Sequence, residues 1–273
     1  MEGKVALVTG AARGQGRSHA VRLAEEGADV IAVDRCGQIG TVPYPMATPD
    51  DLAETVRQVE AADRRIVAAQ ADVRDGAAMK QVVDDGVARL GRLDVVVANA
   101  GVTSYARAED LSDEMWDDVV GTCLSGVFRT ARAAIPHLKA DGGAMVLISS
   151  TEGLTANQHM AHYTAAKHGV VGLTKVLALE LAPHRIRVTS VHPTSVDTGM
   201  IHNEATYELF RPDLAPGEIS RDDVAGPFQG LNALPVPWMD PVDTTEAVAW
   251  LVSDAARYVT GIQLPVDAGA TTT

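Results

Sequence analysis

Val5-Ala6-Leu7-Val8-Thr9-Gly10-Ala11-Ala12-Arg13-Gly14-Gln15-Gly16 is the stretch on which the fold turns. Val5 to Val8 read as a short, buried parallel strand. A glycine-rich turn follows at once, then a helix-like run to Glu26-Gly27. Strand, glycine turn and helix together suit a phosphate group. Glycines let the backbone approach a pyrophosphate closely, and the helix N-terminus faces its negative charge. Gly10, Arg13, Gly14, Gln15 and Gly16 are therefore candidate cofactor contacts. A second strand, Asp29 to Val33, ends at Asp34, 20 residues beyond Gly14, the interval expected for a ribose-binding carboxylate. Asp34 can accept from both ribose hydroxyls and would repel a 2′-phosphate, which selects NAD over NADP. Arg13 and Arg35 pull the other way, since either can pair with a phosphate. The carboxylate outweighs them, because an unneutralised charge clash costs more than a lost contact at the rim.

Outward from this unit the alternation continues. Residues 36–50 carry Pro43, Pro45 and Pro49, show no periodicity and read as an inserted loop. Asp50 is placed to cap the next helix, which runs to about Asp63. Arg65 to Ala71 form a third strand, with Asp72 and Val73 at its end facing an adenine ring, and a helix covers 75–90. Leu93 to Ala98 form a fourth strand that ends in Asn99-Ala100-Gly101, small enough for the backbone to approach a cofactor. A long helix at about 112–139 sets Trp116, Val119, Val120, Cys123, Val127 and Ala131 on one stripe. The fifth strand, Ala144 to Ile148, delivers Ser149 and Ser150 at its carboxyl end, where such sheets bind ligands. A helix over 161–181 carries Tyr163 and Lys167. Arg185 to Val191 form a sixth strand leading into His192-Pro193-Thr194-Ser195-Val196-Asp197-Thr198. Residues 199–240 hold five prolines and read as a lid. A helix at 243–253 and a strand at 262–266 close the chain. The alternation of strands and helices reads as α/β, in one large domain or two small ones.

The chemistry is expected at Ser150, Tyr163 and Lys167. Tyr163 and Lys167 are four apart, so a helix puts them on one face. A free phenol titrates near ~10, too high for a base at neutral pH. A nearby ammonium favours the phenolate and lowers that value. Ser150 can hold the same substrate oxygen, and the group can then move a proton on or off an alcohol or carbonyl oxygen. Alone, the Tyr163–Lys167 pair is equally an ordinary surface pair of a helix; its place behind the strand that ends at Ser150 favours the chemical reading.

Composition limits the alternatives. The chain has 273 residues, 46% hydrophobic and 22% charged, as a folded protein has. Its net charge of −13 argues against a nucleic-acid or anionic-membrane surface. No apolar run reaches the ~18 residues of a membrane span. A strand beginning at Lys4 leaves no room for a signal peptide. Cys36 and Cys123 are expected to be free thiols in a reducing cytoplasm. The eight histidines show no ligand spacing, so no metal is expected, and His159 and His162 are assigned to the substrate entrance.

Taken in order, Thr9-Gly10-x-x-x-Gly14-x-Gly16, Asn99-Ala100-Gly101, Ser150, Tyr163-x-x-x-Lys167 and the turn from Pro193 to Thr198 resemble the short-chain dehydrogenase/reductase family. The likeness runs through essentially the whole chain, and it implies one domain over 1–273 with a Rossmann-type, doubly wound parallel sheet of about seven strands in three αβα layers. It implies that Tyr163 is the acid/base, that Lys167 binds the nicotinamide ribose and lowers the tyrosine pKa, and that Ser150 orients the substrate. It also implies that Pro193, the Val196 backbone and Thr198 hold the carboxamide of NAD. The family's small-x-Gly turn has an Asn two residues before it; here Cys123 stands in that place, which puts the proton relay in question. Pro193-Thr194 replaces Pro-Gly, and Thr189 stands where an Asn is common.

The insertion Val42-Pro43-Tyr44-Pro45-Met46-Ala47-Thr48-Pro49-Asp50-Asp51-Leu52 and the C-terminal run from Tyr258 to Gly269 are similar to the mycobacterial, mycofactocin-associated branch that includes carveol dehydrogenases. That likeness implies NAD that stays bound and an external redox carrier of the mycofactocin kind. In the lid, Met200, Ile201, Tyr207, Leu209, Phe210, Phe228, Leu231 and Trp238 point to a mostly apolar secondary alcohol or its ketone as substrate. The family likeness implies a homotetramer. A second class, an NAD-binding sensor or assembly protein with lost catalysis, draws support from Cys123 alone. Ser150, Tyr163 and Lys167 are all present, which favours the enzyme.

Overall fold

A computed structural model describes residues 1–272. The seven strands are β1 (Val5–Thr9), β2 (Asp29–Asp34), β3 (Ile66–Gln70), β4 (Val95–Ala98), β5 (Gly143–Ile148), β6 (Ile186–Pro193) and β7 (Gln263–Val266). They form one sheet in the order β3-β2-β1-β4-β5-β6-β7, every pair parallel. The chain order reverses between β1 and β4, which opens a crevice at the carboxyl ends of those strands. β1 and β4 are buried at every residue, so they read in sequence as unbroken apolar runs rather than alternating ones.

Helices cover both faces. α1 (Gly14–Glu25), α2 (Pro49–Ala61) and α9 (Pro241–Val252) lie on one side, where Leu23, Val30, Val97 and Leu251 share a core. α3 (Gly76–Leu90), α5 (Val127–Leu138) and α6 (Ala161–Leu181) lie on the other, packed through Met79, Val96, Leu138 and Leu177. This is the three-layer architecture expected, and α6 has the expected bounds.

Three local expectations change. The helix over 112–139 is three pieces: α4 (Asp113–Val120), a π-helical turn (Gly121–Gly126) and α5. The wider turn adds a residue and rotates what precedes it, so Trp116 leaves the expected stripe and is 41% exposed while Cys123 and Val127 stay buried. The cap of α2 is Thr48, not Asp50: Thr48 Oγ1 accepts from Asp51 N while the Asp51 carboxylate accepts from Thr48 N, a reciprocal box that contributes about 1 kcal/mol. Residues 199–240 are not all loop. They contain α7 (Glu204–Phe210) and α8 (Arg221–Gln229), packed through stacked Phe210 and Phe228 rings 4.1 Å apart.

Candidate active site

The carboxyl edge of the sheet opens into two adjoining cavities, of about 360 Å³ and about 710 Å³. Tyr163, Ser149, Gln15, Thr198 and Met200 line both, so the first passes into the second around the Tyr163 ring.

The smaller cavity is shaped for a dinucleotide. A methyl group on Gly16 would fall 1.9 Å from the Gly10 carbonyl oxygen, so only glycine lets α1 pack onto the turn. Gly14 holds φ +54°, in the left-handed region. α1 has no side-chain cap, unlike α2, α3, α4, α7 and α8, and its first turn, Gly14 to Gly16, lines the cleft with no capping carboxylate or hydroxyl among the described residues. Thr9 Oγ1 accepts from the Asn99 and Ala100 amides, and the Asn99 side chain donates to Thr9 O, which ties the β1 turn to the β4 turn. Asp34 stands at the end of β2; one oxygen accepts from Ala12 N at 3.0 Å and the other from Cys36 N at 3.0 Å. Each keeps a lone pair for a ligand hydroxyl.

Both arginines that argued for a phosphate are engaged elsewhere. Arg35 pairs with Asp72 at 2.8 Å and Arg13 donates to Pro45 O at 2.6 Å. Asp72 and Val73 line the cleft, and Asp72 is also held by Arg74, whose guanidinium keeps its carboxyl below the usual range against the cost of burial. Two orphans complete the fit: Gln15 Oε1 and Thr122 Oγ1 are buried without a hydrogen-bond partner, and both residues line this cleft. Lys167 is buried, and among the described residues its ammonium has one acceptor, Ile148 O at 2.8 Å, for three N–H groups. Cleft, glycine turn, free ribose acceptors and free donors suit NAD.

The inserted loop forms the outer wall of this cleft. Ile39, Val42 and Tyr44 are buried in a cluster with Val102, Val119, Cys123, Tyr163 and Ala166. Tyr44 Oη accepts from Thr103 N at 3.2 Å. The Gln38 side chain pins the loop to itself, donating to the carbonyls of Ile39, Val42 and Tyr44 and accepting from Met46 N. Thr41 Oγ1 donates to Asp118 at 2.6 Å. The loop therefore runs from Asp34 across the cleft to the β4 side. Neither Tyr44 nor Thr122 carried a sequence signal; an aromatic residue amid prolines is the nearest thing to one.

Residues 4–208 match the family described as short chain dehydrogenase. The chain belongs to that family. It is 51% identical, over 99% of its own length and 98% of the relative's, to the (-)-trans-carveol dehydrogenase of Rhodococcus erythropolis. Among solved structures, it superposes with a TM-score of 0.98 at 52% identity on a carveol dehydrogenase from Mycobacterium avium in complex with NAD, covering 100% of this chain and 99% of that one. A short chain dehydrogenase from Mycobacterium paratuberculosis bound to NAD gives 0.91 at 46% identity, covering 100% and 99%.

Ser150, Tyr163 and Lys167 come together where the cavities meet: Ser150 lines the larger, Lys167 the smaller and Tyr163 both. Ser150 follows β5, beside Tyr163. Lys167 Nζ lies 5.3 Å from the Tyr163 ring centre. The expected lowering of the Tyr163 pKa is not what this environment does. Burial pushes the phenol well above its ordinary value, Cys123, Tyr44 and Glu152 add to the rise, and the neighbouring Ser150 hydroxyl opposes it only in part. Burial also lowers Lys167, which weakens its hold on a charge.

Cys123 fills the place of the usual Asn. Its Sγ donates to Val102 O at 3.1 Å and accepts from Val102 N at 3.4 Å. Pro193 and Val196 line the larger cavity, not the dinucleotide cleft, and only Thr198 of that turn reaches both. The histidines separate: His159 lines the larger cavity, whereas His162 is fully buried behind Tyr163, hydrogen-bonded to Ser104 Oγ at 2.8 Å and accepting from Tyr163 N at 2.9 Å. Met200, Ile201, Leu209, Phe210, Phe228 and Leu231 line the larger cavity; Tyr207 and Trp238 do not.

Proposed function

We propose that this protein is an NAD-dependent oxidoreductase that interconverts an apolar secondary alcohol, alicyclic or terpenoid-like, and its ketone. The convergence of Ser150, Tyr163 and Lys167 at the junction of a dinucleotide cleft and a cavity with an apolar wall of Leu209, Phe210, Phe228 and Leu231 carries the reading. Residues 1–273 are one NAD-binding and catalytic domain in this reading, with 199–240 as substrate lid. Gly10, Gly14, Gln15 and Gly16 hold the pyrophosphate, Asp34 the adenosine ribose, Asn99 to Gly101 the backbone beside the nicotinamide ribose, and Thr198 the carboxamide. Held there, NAD would supply the acceptor for the hydride of the carbinol carbon and, in its oxidised form, a positively charged ring. Ser150 Oγ and Tyr163 Oη hold the substrate oxygen. Tyr163 takes its proton during oxidation and returns one during reduction. Lys167, fixed by Ile148 O, places its remaining N–H groups toward the ribose and its charge behind the phenol. Cys123 reaches only the Val102 backbone, so its contribution is to hold the π-helical turn against β4, a role that needs no amide side chain.

Purified protein supplied with a redox dye is expected to oxidise alicyclic secondary alcohols such as carveol. No turnover of any member of a panel of such alcohols, by NAD-replete protein, would overturn this reading.

Two apolar faces support a homotetramer. Trp116, Phe128, Val176 and Leu179 are exposed on α4, α5 and α6, and Val242 and Trp250 on α9. Two self-complementary faces on different sides of a subunit build a closed four-subunit assembly. Sedimentation at micromolar concentration is expected to give about four times the 28.7 kDa chain mass; a species at 28.7 kDa alone refutes it. We place the protein in the cytoplasm, where free Cys36 and Cys123 are stable as thiols. No helix among the described residues is long and apolar enough to cross a membrane. An external redox carrier of the mycofactocin kind fits a cofactor walled in by the inserted loop.

A further inference from the structure

The larger cavity contains a charge that hydride transfer does not use. Glu152 stands on its wall, only 4% exposed. One carboxyl oxygen accepts from Asn157 N at 3.1 Å and Thr164 Oγ1 at 2.6 Å, and the other from Asn157 Nδ2 at 2.5 Å. Both oxygens accept and neither donates, which is the arrangement of an ionised carboxylate. Its three partners are neutral; among the described residues no ammonium or guanidinium pairs with it. Nor does any lysine or arginine among the described residues line the cavity, where His159 is the one titratable base. The charge is felt across the space, since it raises both the Tyr163 and the Tyr105 phenols. Leu209, Phe210, Phe228 and Leu231 form an apolar part of the wall, and neutral polar side chains such as Gln15, Thr103, Ser149 and Thr194 line the rest.

A fixed charge on the wall of a partly enclosed cavity acts on any ion that enters. An entering carboxylate would lose part of its hydration, find no lysine or arginine on the wall and meet Glu152, with only the ring of oxidised NAD opposing that repulsion. An uncharged alcohol of the same size meets none of these costs. We infer that Glu152 is a specificity-determining residue that restricts this site to uncharged alcohols and ketones and rejects substrates bearing a carboxylate. The inference rests on the oxidoreductase reading above and narrows its substrate class.

Three compounds with one ring test it: 4-hydroxycyclohexanecarboxylate, its methyl ester and its carboxamide. They are assayed with NAD-replete protein and a redox dye at one fixed pH. Ester and amide are expected to turn over, with kcat/KM for the acid lower by on the order of 100-fold. Glu152→Gln is expected to raise the acid-to-ester ratio at least about tenfold, through loss of the repulsion alone. An acid-to-ester ratio near one in the wild type overturns the inference and leaves the oxidoreductase reading intact. So does an unmoved ratio in an active Glu152→Gln protein. Should that variant not fold, a dead-end pair on the wild type decides: cyclohexanecarboxamide is expected to compete with the ester at concentrations where cyclohexanecarboxylate does not, and equal inhibition by the two overturns the inference. Turnover of none of the three, nor of any other alicyclic alcohol, counts against the oxidoreductase reading itself and takes this inference with it.

Discussion

Tyr163→Phe is expected to lower turnover of a secondary alcohol by on the order of 10³-fold while leaving NAD bound, because only the proton-transferring oxygen is removed. The ring stays, so the apolar cluster it shares with Tyr44, Val102 and Cys123 is kept. Single-turnover measurements on NAD-loaded protein separate the two effects. The pH dependence follows from the environment of the phenol. Burial holds Tyr163 protonated far above neutral pH, so the base form needed for oxidation is scarce at pH 7 and grows as pH rises. Oxidation is therefore expected to speed up from pH 7 toward pH 10, whereas reduction, which needs the protonated phenol, stays flat near neutral pH. Lys167→Ala is expected to remove the oxidation that remains at low pH and also to weaken NAD. Turnover by Tyr163→Phe within about tenfold of wild type would remove Tyr163 from the acid/base role.

The second large effect is expected at the inserted loop. Purified protein should retain NAD through extensive dialysis and should oxidise alcohol with a redox dye far faster than with added NAD alone. Asp34 lies where the loop begins, and Tyr44 is seated on the Thr103 amide at the far side of the cleft. Release of the cofactor requires this wall to lift, so the off-rate is that of opening. Tyr44→Ala removes the anchor. Truncating a buried aromatic costs about 3–5 kcal/mol, and roughly 1.4 kcal/mol is tenfold in rate, so release should accelerate on the order of 100-fold even if part of the cost falls on the open form. Stopped-flow displacement of bound NAD by a fluorescent analogue measures this directly. Cofactor-free wild-type protein that turns over briskly on added NAD would show that the loop does not confine the cofactor.

Which parts of this protein were legible in its residue order depends on how far apart the interacting groups lie. The strand at Val5, the glycine turn, Asp34 at its interval and the Tyr163–Lys167 spacing depend on neighbours within a few turns of chain, so periodicity and motif carry them. Sheet order and layering follow, because a run of parallel strands joined by helices has few right-handed ways to pack. The α2 cap was missed by two residues: Thr48 and Asp50 are both good caps, and only the reciprocal bond to Asp51 distinguishes them. The π-helical turn at Gly121–Gly126 was not legible, since the residues there fit an α-helix equally well and its seat is Val102, on the strand-end loop of β4. The Tyr163 pKa went the other way from its motif. Spacing alone shows the lysine four residues on, but burial is set by Tyr44, Val102 and Cys123, far away in the chain, and desolvation outweighs a partly desolvated ammonium that is bonded to Ile148. The composition of Glu152's surroundings was likewise invisible: residue order puts a carboxylate beside Ser150, but only the fold shows that neutral donors alone surround it in a cavity without a cation. Short-range order selected the fold and the reacting groups; the electrostatics of the site belong to long-range packing, because the field at a buried atom is made by whatever the tertiary structure brings against it.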